Sequence, residues 1–113
     1  MNEVSLDRTI AALAEPSRRQ VVDLLSQGPL RAGDLARATG MSAPAMSRHL
    51  RVLKRSHLII EDRIENDARV KLYRLVPKPF NELSDWLAEV RAFWHGQLAA
   101  LKAHVEQSAR DEE

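Results

Sequence analysis

The sequence predicts a mainly α-helical fold with one small β-hairpin, about five helices and two strands, the strands falling between the fourth and fifth helices. Three observations carry this. Apolar residues recur at three-and-four spacing over most of the chain, as a helix with one buried face requires. That period gives way once, between Leu58 and Val76, to two runs rich in β-branched and aliphatic residues around a polar segment, Glu65 to Arg69. Gly28-Pro29, Gly40 and Pro77 stand between the periodic segments.

Leu6, Ile10 and Leu13 set a first helix from about Leu6 to Ala14. Pro16 fits the first turn of a second helix, where its missing N–H would have no intrahelical partner in any case. Val21, Val22, Leu24 and Leu25 give that helix its buried stripe, and Gly28-Pro29 ends it. A short third helix spans roughly Ala32 to Thr39, and Gly40 stands where a helix favours a left-handed terminal residue. Ser42 is a good N-cap for a fourth helix over 43–55, with Pro44 in its first turn. Leu58 to Ile64 and Val70 to Val76 form the hairpin, with a five-residue tip, and Pro77 and Pro79 stop its second strand. A last helix runs from about Phe80 to Ser108. Its apolar positions are Leu83, Trp86, Leu87, Val90, Phe93, Trp94, Leu98, Leu101 and Val105. With 113 residues, the chain reads as a single domain over 1–113.

Composition narrows the class. A hydrophobic content of 44% and a charged content of 29% are those of an ordinary soluble protein. No apolar run approaches membrane-spanning length, and no basic-then-apolar leader opens the chain. The absence of cysteine removes disulfides and thiolate metal sites and fits a cytoplasmic location. No Gly-rich phosphate loop or nucleophile elbow is present, and Ser47 with His49 makes no triad, so no enzyme is expected.

Charge is distributed unevenly. The net charge is +1, yet residues 35–60 carry five basic side chains (Arg37, Arg48, Arg51, Lys54, Arg55) and no Asp or Glu. A solvated helix face normally mixes both signs. Advancing about 100° per residue along the fourth helix puts Met46, Leu50 and Leu53 in one arc. Pro44, Ser47, Arg48, Arg51, Lys54 and Arg55 share the opposite arc, and His49 falls on the apolar side. A helix of this kind fits the major groove of double-stranded DNA, where Arg and Ser reach base edges and phosphates. Its N-terminal N–H groups near Ser42 can meet a phosphate as well. The hairpin adds Arg63, Arg69, Lys71 and Arg74. Of these, Arg69 and Lys71 are the candidates for backbone contact, and Arg63 and Arg74 for pairing with the segment's own acids.

Four segments, in order, resemble the ArsR-type winged helix-turn-helix repressors. They are Pro16-Ser-Arg-Arg-Gln-Val-Val-Asp-Leu-Leu25, Asp34-Leu-Ala36, Ser42-Ala-Pro-Ala-Met-Ser-Arg-His-Leu-Arg-Val-Leu53 and Tyr73-Arg-Leu75. The resemblance covers about residues 6–105 and implies a homodimeric bacterial repressor of a palindromic operator. Matched positions make Ser42, Pro44, Ser47, Arg48 and Arg51 the DNA-facing residues and put Arg69 and Lys71 on the wing, about 58–76. Lys54 joins them from the cationic arc. The last helix carries more apolar surface than a lone amphipathic helix needs, so the first and last helices are expected to form a two-fold interface, with 80–108 as the dimerisation helix.

The chain also departs from that pattern. Ala43 replaces a common Gln, His57 stands where Gly often ends the reading helix, and Ala68 replaces a Gly at the wing tip. Arg31 and Gly33 occupy the two cysteine positions of the metal-sensing members. His95 and His104 are nine residues apart, about 180° around one helix, and cannot chelate one ion within it. No metal or other cofactor is therefore expected, and the inducing signal is a small molecule, a partner protein or none. A metal-responsive repressor with a His/Asp site across the dimer and a protein-interaction adaptor are the rival readings.

Overall fold

The structure is a computed structural model and describes residues 3–64 and 67–111. The order is α1 (Glu3–Leu13), α2 (Pro16–Leu25), α3 (Ala32–Thr39), α4 (Ala43–Arg55), β1 (Ile59–Ile64), β2 (Asp67–Leu75) and α5 (Pro77–Asp111). Five helices and one antiparallel hairpin are what the periodicity predicts.

Local chemistry explains the joints. Arg18 and Arg19, on α2, reach back to the end of α1. Arg18 Nε donates to the Ala12 carbonyl at 2.6 Å, and Arg19 to the carbonyls of Leu13 at 2.6 Å and Ala14 at 3.1 Å. They satisfy carbonyls that a helix end leaves without partners. Glu15 caps α2 by accepting from the Ser17 N–H at 2.9 Å. That bond, first, and the nearby positive potential of His49 and Arg18 hold the Glu15 carboxyl below its ordinary range. Gly40 closes α3 in the left-handed region, at φ 72°. Ser42 caps α4, accepting from the Ala45 N–H at 3.2 Å.

Val21, Leu25, Leu35, Met46, Leu50, Leu53, Leu58 and Ile59 form one buried cluster, so α2, α3, α4 and the start of β1 share a core. Residues Ile59 to Arg63 of β1 pair with Leu75 to Lys71 of β2 in unbroken register, and a shift then pairs Ile64 with Asp67. Leu30, between α2 and α3, bridges to Tyr73 through two backbone bonds of 3.2 and 2.9 Å. The hairpin is thus stitched to the chain just ahead of α3.

Several boundaries move from their predicted places, the end of α5 from Ser108 to Asp111 among them, and three of the shifts have a local cause. α1 begins at Glu3, ahead of its first apolar position, because a first turn needs no buried residue. β2 begins at Asp67 and so absorbs most of the expected tip; tip residues 65 and 66 lie outside the described residues. Pro77 and Pro79 open α5 as well as ending the strand. In a first helical turn no N–H is missed, so the helix runs 35 residues from Pro77.

The chain forms two compact units, Met1–Leu83 and Ser84–Glu113. The first holds every buried apolar residue of the described chain. The second is the remainder of α5, and Leu87, Phe93, Trp94, Leu98, Leu101 and Val105 are all exposed on it, Phe93 at 61%. No described helix is long and apolar enough to cross a membrane.

Candidate nucleic-acid interface

The fourth helix divides as its sequence pattern requires. Met46, Leu50 and Leu53 are buried, and Ser42, Ala43, Pro44, Ser47, Arg48, Arg51, Lys54 and Arg55 are exposed. Gly40 makes the turn that sets this helix after α3: its left-handed backbone lets the Met41 N–H return to the Ala36 carbonyl at 3.1 Å. The buried arc fixes the helix against the core, and the cationic arc follows as its opposite face. His49 is half-buried on the flank, on the side of Glu15.

The predicted cations fall into two electrostatic groups. Arg48, Arg51 and Arg55 have no acidic partner among the described residues, and they stand along the exposed arc of α4. Lys54, Arg69 and Lys71 are all paired. Arg69 is 92% exposed and lies 3.2 Å from Asp67, beside the hairpin tip. Lys54 and Lys71, one from the helix and one from the hairpin, meet at a single carboxylate. The Lys54 Nζ donates to Glu61 Oε2 at 2.9 Å, and the Lys71 Nζ lies 3.2 Å from Oε1. The Tyr73 hydroxyl donates to the same Oε1 at 3.5 Å. Of the remaining hairpin cations, Arg74 pairs with Asp62 and Arg63 opposes Lys71 across the ladder.

Glu61 joins the two arms of the site. Its side chain is only 15% exposed, whereas those of Lys54 and Lys71 are 54% and 45% exposed. The hydrogen bond from Lys54, then that from Lys71, pulls the Glu61 carboxyl below its ordinary range against the opposing effect of burial. The Lys54 ammonium is raised by the same bond. Burial, followed by the nearby Glu61 charge, pushes the Tyr73 phenol up. Around this cluster is an open groove of about 300 Å³, lined by Gly33 of α3, Ser47 and Arg51 of α4, and Glu61, Lys71 and Tyr73 of the hairpin.

The prediction missed Glu61, because it lies one residue beyond the carboxylate-free window. A signal was present. A hairpin folded about tip 65–69 sets Ile64 opposite Val70 and therefore Glu61 opposite Tyr73, with Lys71 on the diagonal of the same face. The observed register keeps that pairing up to Arg63. At the two cysteine positions of the metal-sensing pattern, Arg31 and Gly33 are exposed. No group of three or more His, Asp or Glu among the described residues is arranged to hold a metal ion.

Residues 15–61, which span α2 to the start of β1, match the family model described as "Bacterial regulatory protein, arsR family". The chain is 36% identical over 107 residues to the HTH-type transcriptional regulator Rv2034 of Mycobacterium tuberculosis, covering 95% of this chain and 94% of that one. It is 36% identical over 58 residues to the transcriptional repressor SdpR of Bacillus subtilis, covering 51% and 64%. Among solved structures it resembles the homodimeric winged helix-turn-helix DNA-binding domain Mb0332 of Mycobacterium bovis. There the TM-score is 0.59 at 29% identity, over 83% of this chain and 82% of that one.

Proposed function

The chain belongs to the ArsR family of bacterial regulatory proteins, a family of winged helix-turn-helix transcriptional regulators and not of enzymes, and on that premise we propose that it is a homodimeric repressor of a palindromic operator. The observation that carries this reading is the exposed arc of α4, which is cationic, free of carboxylates and opposite a fully buried stripe. In the proposed complex α4 enters the major groove. Arg48 and Arg51 meet base edges and phosphates, Ser47 adds a short hydrogen-bonding contact, and Ser42 and Pro44 sit at the helix N-terminus against the backbone. The hairpin is the wing, with Arg69 and Lys71 facing phosphate and Lys54 flanking the groove.

The whole chain works as one DNA-binding unit, and α1 and α5 supply the two-fold contact. The exposed aromatic and aliphatic face of α5 supports that assignment, as does the homodimeric state of the Mycobacterium bovis domain. Two-fold symmetry would set the two reading helices about one DNA turn, ~34 Å, apart. With Arg31 and Gly33 at the thiolate positions, relief of repression does not run through cysteine-bound metal.

The test is selection of duplexes from a random pool, followed by anisotropy titration of the winner against scrambled DNA. The expected result is an inverted repeat bound far more tightly than the scramble, with steep salt dependence. Equal affinity for both, or no binding, would overturn the reading.

A further inference from the structure

We infer that Glu61 is a specificity-determining residue, an internal rival to phosphate that holds one cation of the reading helix and one of the wing. This rests on the DNA-binding reading above. The geometry is that of a shielded acid beneath two half-exposed lysines. Glu61 uses both oxygens, Oε2 for Lys54 at 2.9 Å and Oε1 for Lys71 at 3.2 Å, with the Tyr73 hydroxyl on Oε1 as well. Arg48 and Arg51 have no such partner among the described residues.

The cations of the site therefore differ in availability. Arg48 and Arg51 meet any duplex without giving up an ion pair. Lys54 and Lys71 give phosphate their full charge only by leaving Glu61, and that leaves a mostly covered carboxylate without its partners. Such an exchange is favourable only where the groove and backbone fit closely. On loosely fitted, non-cognate DNA the two lysines stay with Glu61. The carboxylate thus withholds two contacts from non-specific binding, which is otherwise driven almost wholly by phosphate neutralisation.

Glu61→Gln keeps the shape and removes the charge. Affinity for scrambled and for selected duplex is measured by anisotropy across a salt series, with the fold checked by circular dichroism. On scrambled DNA the slope of log K against log salt is expected to steepen by about 0.9 for each lysine released. Affinity there should rise by up to about eightfold per lysine at ~0.1 M salt. Selected DNA should gain less, so the ratio between them narrows. Asp23→Asn makes the same change in net charge at an exposed α2 position outside the groove, and is expected to leave both slopes as they are. If the Gln variant does not fold, Glu61→Asp replaces it. Its shorter carboxylate cannot hold both lysines, and an intermediate steepening is expected. An unchanged slope in a folded variant, an equal change in Asp23→Asn, or parallel loss of both affinities would overturn this inference and leave the DNA-binding reading standing. A wild-type protein that binds neither duplex would overturn both.

Discussion

Replacing His57 by glycine should stabilise the protein. His57 has φ 62°, the one positive value among the described non-glycine residues. It sits just past α4, where its N–H bonds to the Lys54 carbonyl at 3.1 Å and the following Leu58 N–H to the Leu53 carbonyl at 3.0 Å. These two bonds form a Schellman closure, which asks for a left-handed residue at this position and is most often filled by glycine. The buried Leu53 and Leu58 on either side hold the turn in place. A side chain there crowds the backbone at a cost of about 1 kcal/mol. The imidazole offsets none of this: it is exposed and makes no hydrogen bond with a described residue. His57→Gly should therefore gain about 1 kcal/mol, a rise of roughly 4 °C in melting temperature for a chain of this size. His57→Ala keeps the strained backbone and loses the ring, so it should melt at or slightly below wild type. The gap between the two variants, followed by circular dichroism at one fixed protomer concentration, measures the strain less the greater unfolded-chain entropy of glycine. Equal melting of Gly and Ala, or a Gly variant below wild type, would refute the reasoning.

Three further outcomes are expected. Arg48→Ala should weaken binding to the selected operator by about 1–3 kcal/mol and to scrambled DNA by less, measured by competition anisotropy; equal losses would make Arg48 a phosphate clamp only. Leu98→Glu with Leu101→Glu should shift the protein to monomer in sedimentation equilibrium, since each leucine buried in an interface is worth roughly 2 kcal/mol; an unchanged mass would move the dimer contact elsewhere. Because the folded-state pKa of Glu61 is depressed, its ion pairs stabilise the protein above the unfolded carboxyl value of about 4.3 and fade as pH falls through the lower folded value. The urea midpoints of wild type and Glu61→Gln should thus differ at pH 7 and converge as the pH is taken below that folded value.

The elements were legible because each has a strong local cause. The stripe Met46, Leu50, Leu53 and the stop at Gly40 place α4 without any tertiary knowledge. The start of α5 was less legible. Pro77 and Pro79 carry the same local meaning at the end of a strand and in the first turn of a helix, and the packing of Pro79 decides between them. The candidate site was half visible. Exposed arginines on one arc can be read from a wheel, but the pairing of Lys54 with Glu61 joins two elements seven residues apart through a turn whose shape depends on His57. The α1 caps from Arg18 and Arg19 were hidden for a similar reason, since a helix wheel treats arginines as solvent charges and cannot show carbonyls from the preceding helix.

The placement of the aromatic residues makes the chain its own optical probe. Both tryptophans, Trp86 and Trp94, lie on the second unit, in α5, and Phe93 stacks edge-on to Trp94 at 6.1 Å. The single tyrosine, Tyr73, lines the groove beside Glu61. Indole emission therefore reports on what covers the exposed face of the second unit. Assembly through that face can thus be followed on unlabelled protein by exciting the indoles alone, to the red of tyrosine and DNA absorption.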